Sequence, residues 1–306
     1  MRNLILGSSG FIGKNLVKEL SKTEKEIRVF DLNPLKEHEE ISECKIEFIQ
    51  GEFSPDYDFD ELTKGIDVVY HLISTTIPSS SISLVKEIEE NVFSTLKLLD
   101  ACVKNGVKKI IYISSGGTVY GQSNGLPFRE NDNTNPICSY GIQKLTIEKY
   151  IQLYNKMYEL DYRIVRLSNP YGIGQNPNGG LGAVTTFTYR IVNNEPIVIY
   201  GDGEVVRDYI YIDDAIKSIV NIALYEGKYK VFNVGSGKGY SLNQIVETIE
   251  KVVGKKFNVI RESARKVDVP YSVLDISRLI NTFPERHTTS LSEGVKVLSD
   301  FYIKEK

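Results

Sequence analysis

The feature that most narrows what this chain can fold into lies at its start. A short apolar run, residues 3–6, leads straight into Gly7-Ser8-Ser9-Gly10-Phe11-Ile12-Gly13, and a helical pattern follows over residues 11–21. A strand, a turn with glycines at 7, 10 and 13, then a helix forms a pyrophosphate cradle. Gly7 permits the tight turn, Gly10 lets backbone approach the phosphates, and Gly13 lets the helix pack closely on the strand. The positive end of the helix dipole and its unpaired N–H groups then face the anion. The loop of phosphate-binding NTPases needs four residues between its glycines, then Lys and Ser/Thr. Here five separate Gly7 from Gly13, and Asn15 follows Lys14, so that loop is excluded. A glycine-rich turn without a ligand is the other reading, and the flanking strand and helix weigh against it.

The rest of the first half repeats the same alternation. Candidate strands at 27–31, 45–49, 67–71, 108–114 and 162–167 are separated by candidate helices at 58–64, 84–105 and 140–159. The strands are continuous apolar runs, as expected when both faces of a sheet are covered. Gly106 stands where a helix C-terminal glycine belongs. The pattern predicts an α/β fold, a doubly wound parallel sheet of the Rossmann type, over residues 1–168. It breaks near Asn169, where the chain becomes rich in Gly, Asn and Pro as far as Gly203. A smaller mixed α/β substrate lobe is expected from residues 169–208 and 239–306, with about 209–238 returning to the first domain. Within these parts, helices are expected near 213–225 and 241–253, a strand at 231–234, and two helices towards residue 306.

Composition removes several classes of function. At 306 residues, one large domain or two coupled ones are expected. The net charge is only -3, with acids and bases intermixed, which argues against nucleic acid and membrane surfaces as partners. The first apolar run ends at Leu6, too short for a signal peptide. No stretch approaches the roughly 20 apolar residues of a membrane span. Cys44, Cys102 and Cys138 are odd in number and widely spaced, so no disulfide framework is expected and a reducing cytoplasm is the simplest setting. His38, His71 and His287 share no ligand spacing, so no metal is expected.

Two further constellations carry chemistry. Asp31 ends the second strand, 18 residues past Gly13. A carboxylate there accepts hydrogen bonds from both adenosine ribose hydroxyls and repels a 2′-phosphate, which favours NAD over NADP. The alternative is a turn aspartate ahead of Asn33-Pro34. Tyr140 and Lys144 lie four apart on a predicted helix and so share one face. Bringing a phenol from about 10 to about 7 takes about 4 kcal/mol. One unit charge at about 4 Å and an effective dielectric of about 20 supplies that much. Lys144 and an oxidised nicotinamide ring are expected to supply it together. A surface Tyr-Lys pair is the plain alternative; the upstream nucleotide turn and the Ser/Thr-rich end of the 108–114 strand weigh against it.

Taken with Asn91-Val92, Ser114-Ser115-Gly116-Gly117-Thr118-Val119-Tyr120-Gly121, Ser139-Tyr140 with Lys144, Asn169-Pro170-Tyr171-Gly172 and Gly201-Asp202-Gly203 leading to Arg207-Asp208-Tyr209, these residues resemble the extended short-chain dehydrogenase/reductase superfamily, and within it the nucleotide-sugar epimerases. The resemblance covers nearly the whole chain. It implies NAD as cofactor and C4 epimerisation of a UDP-hexose through a 4-keto form. Tyr140 takes the acid/base role and Lys144 that of its partner, also gripping the nicotinamide ribose. Gly7, Gly10, Phe11, Ile12, Gly13, Asp31, Asn33, Glu52, Phe53, Leu72, Ser74, Asn91 and Ser114 fall on the cofactor side. Asn169, Arg207, Arg265 and Asp268 fall on the nucleotide of the substrate. A homodimer through a four-helix bundle is implied as well, built from residues 91–105 and 140–159.

Three positions depart from the family's pattern. The catalytic Ser or Thr four residues before the tyrosine of Val-Tyr-Gly is Gly116 here, so Thr118 or Ser115 has to share the sugar hydroxyl's proton, with Thr118 preferred. Glu52 replaces the adenine-contacting aspartate, and Ile73 and Ser74 replace small residues. Ser272 falls at the residue that gates the sugar pocket, which predicts that N-acetylated sugars are accepted besides plain hexoses. A one-residue shift would put Tyr271 there and reverse the forecast. A 4,6-dehydratase needs an Asp-Glu pair where this chain has Gly117 and Thr118. Decarboxylases and 4-reductases of nucleotide sugars are the other enzymatic readings. A catalytically silent NAD-binding scaffold is the reading from another class, and retention of Tyr140 and Lys144 argues against it.

Overall fold

The computed structural model describes residues 1–34, 44–77, 83–179, 181–263 and 269–305. Its elements run β1 (Asn3–Leu6), α1 (Phe11–Leu20), β2 (Glu26–Asp31), β3 (Lys45–Gln50), α2 (Phe59–Thr63), β4 (Val68–His71), α3 (Leu84–Ile88), α4 (Ser94–Lys104), β5 (Lys109–Ser115), α5 (Ser139–Tyr158) and β6 (Asp161–Leu167). They continue with β7 (Asn169–Tyr171), α6 (Ala183–Val192), β8 (Ile197–Tyr200), β9 (Val206–Tyr211), α7 (Ile212–Leu224), β10 (Val231–Val234), β11 (Gly239–Ser241), α8 (Leu242–Val253), β12 (Val259–Glu262), β13 (Tyr271–Ser272), α9 (Ser277–Thr282) and α10 (Leu291–Lys304). Among the described residues no helix is long and apolar enough to cross a membrane.

The main sheet has seven parallel strands in the order β10-β6-β5-β4-β1-β2-β3. Successive side chains of a strand point to opposite faces, and both faces of this sheet carry a core. Leu4 and Leu6 of β1 pack with Phe30, Leu98 and Leu99, while Ile5 packs with Leu16, Val17 and Val29 on the other side. That double burial explains the continuous apolar runs. β3 lies at the edge, and its residues are half-buried or exposed. Strand order reverses between β1 and β4, so a crevice opens at their carboxyl ends. Gly7 and Leu72 stand on its two sides.

The smaller lobe joins β9 to β7, β11 and β13, and pairs β8 with β12. Helices α6, α8 and α10 pack on one another beside it. The chain crosses back to the large sheet at α7, which packs on α1, and at β10, which pairs with β6. Tyr209 itself belongs to β9 of the smaller sheet.

Local signals account for most boundaries. Gly106 has φ +69° and closes α4, where a side chain would be strained. Capping boxes start α8 (Ser241 with Gln244) and α10 (Ser290 with Glu293). Two expectations need correction. The 84–105 segment is not one regular helix, because a π-turn at Glu89–Phe93 separates α3 from α4. The Gly/Asn/Pro-rich stretch after Asn169 also contains α6, whose Val184, Phe187 and Ile191 are buried on one side.

Candidate active site

The glycine turn has the geometry its sequence asks for. Gly7 takes φ +88° while its N–H donates to Phe30 O at 2.9 Å. A Cβ on Gly13 would sit 2.0 Å from Gly7 O and 2.8 Å from Ser8 Cα, so only glycine lets α1 approach β1 this closely. A Cβ on Gly10 would meet only Gly7 O, at 3.3 Å, and the rest of its surroundings is open groove. No side chain caps α1, which leaves its first N–H groups to a ligand. These features fit a dinucleotide's pyrophosphate.

From this turn a groove of about 700 Å³ runs past Asp31, Asn33, Glu52, Phe53, Leu72 and Ser74. The Asp31 carboxylate is held in place by two backbone donors, Ser9 N at 2.9 Å and Asn33 N at 3.1 Å. Ser9 Oγ adds a bond to Asn33 O at 2.7 Å, closing the loop around the carboxylate. Ser74 Oγ donates to Thr76 O.

In the other direction the groove enters a cavity of about 500 Å³ lined by Phe11, Ile12, Gly13, Ser114, Ser115, Tyr140, Lys144 and Asn169. Tyr140 and Lys144 are one turn apart on α5, and the Lys144 Nζ lies 5.6 Å from the centre of the Tyr140 ring. Nζ donates to Ile113 O at 2.9 Å. Ser115 lines the same cavity as Tyr140, and its hydroxyl acts to lower the pKa of that phenol. Thr118 is not among the described residues lining this cavity; its Oγ1 is buried with no partner, and the residue packs against Gly141, next to Tyr140.

Burial governs the titration of both groups. Burial pushes the Tyr140 phenol up to about 12, the neighbouring Cys138 adds to this, and the Ser115 hydrogen bond opposes it. Burial takes the Lys144 ammonium down to about 8, against the pull of Glu148. Desolvation is the largest cause of both shifts. An added positive charge beside the phenol is what could bring it back.

Leu274 packs into the space beside Gly116. A Cβ there would lie 2.6 Å from Leu274 Cδ1 and 3.1 Å from Arg166 O.

Asn91 and Ser114 do structural work. The Asn91 amide donates to Thr75 Oγ1 (2.8 Å), Gln143 Oε1 (2.9 Å) and Glu87 O (3.0 Å), while its Oδ1 accepts from Thr75 N. It thereby ties the loop after β4 to α5. Ser114 Oγ donates to the Glu148 carboxylate at 2.5 Å.

A third cavity, of about 480 Å³, continues from Asn169 past Arg207 and Tyr209. Asn169 Nδ2 donates to Asp208 O, and the Arg207 guanidinium donates to Val206 O and Val269 O, which aims it along the wall. Asp208 is buried and accepts from Ser236 N, Ser236 Oγ and Gly237 N, fixing β9 to the turn after β10. Ser272 is buried on β13 in register with Arg207 and is not among the described residues lining the groove. Arg265 and Asp268 lie outside the described residues. Sequence reading missed Gln175 and Leu181 at the second cavity, and Phe187, Arg190, Tyr200 and Glu262 at the third. The apolar spacing of Val184, Phe187 and Ile191 would have revealed α6 and, with it, Phe187 and Arg190.

The model of the NAD dependent epimerase/dehydratase family matches residues 3–235. The chain belongs to that family. Its cofactor is accordingly NAD. The relatives include a reductase as well as epimerases. A dTDP-4-dehydro-6-deoxyglucose reductase of Escherichia coli is 34% identical over 302 residues, covering 96% of this chain and 95% of its own length. A UDP-glucose 4-epimerase of Mycolicibacterium smegmatis is 29% identical over 315 residues, covering 99% and 98%. Among solved structures, the UDP-glucose 4-epimerase of Thermotoga maritima with UDP-glucose superposes with a TM-score of 0.91 at 30% identity, covering 100% of this chain and 99% of that one.

Proposed function

We propose that this chain catalyses NAD-dependent epimerisation at C4 of a UDP-hexose, either the glucose/galactose pair or its N-acetylated counterpart. The observation that carries the reading is the meeting of Tyr140, its Ser115 partner and Lys144 in one cavity between the glycine turn and Asn169. NAD supplies a hydride acceptor that gives the hydride back, so it is regenerated at each turnover. Tyr140 Oη takes the proton of the 4-hydroxyl as the 4-keto sugar forms, then returns it to the epimer. Ser115 holds that phenol and shares the proton, in place of the hydroxyl missing at Gly116. Lys144 keeps a positive charge beside the phenol.

Arg207 and Asn169 anchor the nucleotide diphosphate, and Phe187 and Tyr209 offer apolar surface to the base. Held at that end, the sugar can present either face. Gly117 and Thr118 give no acid-base pair for eliminating water, which disfavours a 4,6-dehydratase.

A second copy of the chain is the proposed partner. Phe93, Ile142, Leu153 and Met157 are exposed apolar side chains at the π-turn and on α5, the surface a four-helix bundle would cover. Three cysteines without disulfides agree with a cytoplasmic setting.

The test is to give the purified protein UDP-glucose or UDP-galactose with no nicotinamide nucleotide and to resolve the epimers. Conversion supports the reading. A product formed only in proportion to supplied NADH would mark a reductase instead.

A further inference from the structure

Behind the reacting groups lies a buried polar network that takes no part in the proton and hydride transfers. Glu148 follows Lys144 by one turn on α5 and is fully buried. Its carboxylate accepts from Ser114 Oγ at 2.5 Å, from Arg166 Nε at 3.1 Å and from Arg166 Nη2 at 2.7 Å. Arg166, on β6, also donates to Tyr120 Oη at 3.0 Å. The Tyr120 hydroxyl donates in turn to Asn233 Oδ1 at 2.6 Å, and Asn233 Nδ2 donates to Phe128 O and Asp275 O.

A buried ion pair is a poor source of stability, since well-packed apolar residues serve as well or better. Its placement here suggests another role. Ser115 sits on the end of β5 whereas Tyr140 and Lys144 sit on α5, so the spacing of the three depends on how these elements dock. Glu148 bonds directly to Ser114, the neighbour of Ser115, and Arg166, in register with Ser114 on the adjacent strand, bonds the same carboxylate. The network also reaches Asp275, beside the Leu274 that fills the space at Gly116.

We propose that Glu148, clamped by Arg166, is a positioning residue that holds α5 against the end of β5 and is the anion that supports the charge on Lys144. The proposal rests on the epimerase reading for its kinetic consequences. Tyr140 and Glu148 face Lys144 from its own helix, and the Tyr112 ring faces it from β5 at 4.9 Å. From β4 comes His71, which burial keeps neutral by lowering it to about 3. Glu148 is the one carboxylate among these groups.

The test compares wild type, Glu148→Gln and Arg166→Lys as full chains bearing their cofactor. Side-chain NMR of isotope-labelled lysine follows the Lys144 titration independently of turnover, with Lys144→Met assigning the signal. In Glu148→Gln the midpoint is expected to move to lower pH than in wild type. Its kcat is expected to fall about 100-fold, as for a small misplacement of reacting groups. Arg166→Lys keeps the charge but loses the fork, so kcat falls while the Lys144 midpoint stays. A folded Glu148→Gln with wild-type midpoint and kcat would overturn the proposal. If Glu148→Gln fails to fold, Tyr120→Phe decides: a fall in kcat of about tenfold supports the clamp, and unchanged kcat overturns it. Should wild type be inert on every UDP-hexose, the epimerase reading fails, and the NMR midpoint still judges Glu148.

Discussion

Leu274 occupies the space that a side chain at residue 116 would need, its Cδ1 lying 2.6 Å from where a Cβ on Gly116 would stand. A side chain at residue 116 therefore needs Leu274 to move, and Ser115 is the cavity hydroxyl that acts on the Tyr140 phenol. Gly116→Ser alone is expected to destabilise the fold by about 1–3 kcal/mol through overpacking. Adding Leu274→Ala should relieve that crowding in part, leaving a cavity cost of its own. Thermal melts of the two single variants and the double variant measure the coupling. Strict additivity would show that Leu274 and residue 116 do not compete for space.

Ser115 and Thr118 are separable by substitution. Ser115→Ala is expected to lower kcat about 100-fold, the usual cost of losing one well-placed hydrogen-bonding group at a reacting centre. Thr118→Val should leave kcat within a few fold and stability unchanged or slightly raised, because Thr118 Oγ1 is buried without a partner. The reverse ranking in steady-state kinetics would hand the role to Thr118.

Activity and stability should respond to alkaline pH in opposite senses. Burial lowers Lys144 from 10.5 to about 8, so the ammonium beside Tyr140 is lost as pH rises through 8 and kcat/KM falls. The unfolded chain still holds that proton up to about 10.5, so Lys144's contribution to stability grows between those values and is lost as pH falls through 8. Lys144→Met should flatten both dependences over this interval. Rate profiles and denaturant melts that keep their wild-type slopes in that variant would remove Lys144 from the account.

Gly13→Ala places a methyl 2.0 Å from Gly7 O, and backbone has to give way. The variant should purify with little or no bound NAD and lose roughly 2–3 kcal/mol of stability. Cofactor content by absorbance, together with a melt, checks this. Full NAD occupancy would mean that the turn does not hold the pyrophosphate.

Much of this was legible locally. The strand of residues 3–6, the turn after it and the helix that follows are one contiguous signal, and Tyr140 with Lys144 needs only helical spacing. The π-turn around Asn91 was not, because the bonds that accompany it reach Thr75 and Gln143, far away in sequence. Ser115 was left beside Thr118 because the choice depends on which hydroxyl meets the phenol across two elements. Arg166 did carry a signal, a charge between Val165 and Leu167 in a buried strand, which demands a buried partner. Naming Glu148 as that partner required knowing that α5 crosses β5 and β6.

The most direct test of the central claim approaches equilibrium from both sides. UDP-glucose and UDP-galactose, and separately the N-acetylated pair, are incubated with protein carrying only the cofactor it purifies with. For an accepted pair, the account predicts that both starting sugars converge on the same mixture with no nicotinamide nucleotide added. Tyr140→Phe should slow that convergence by about 10²–10⁴-fold. One-way conversion, consumption of NADH in step with product, or full speed from Tyr140→Phe would contradict it.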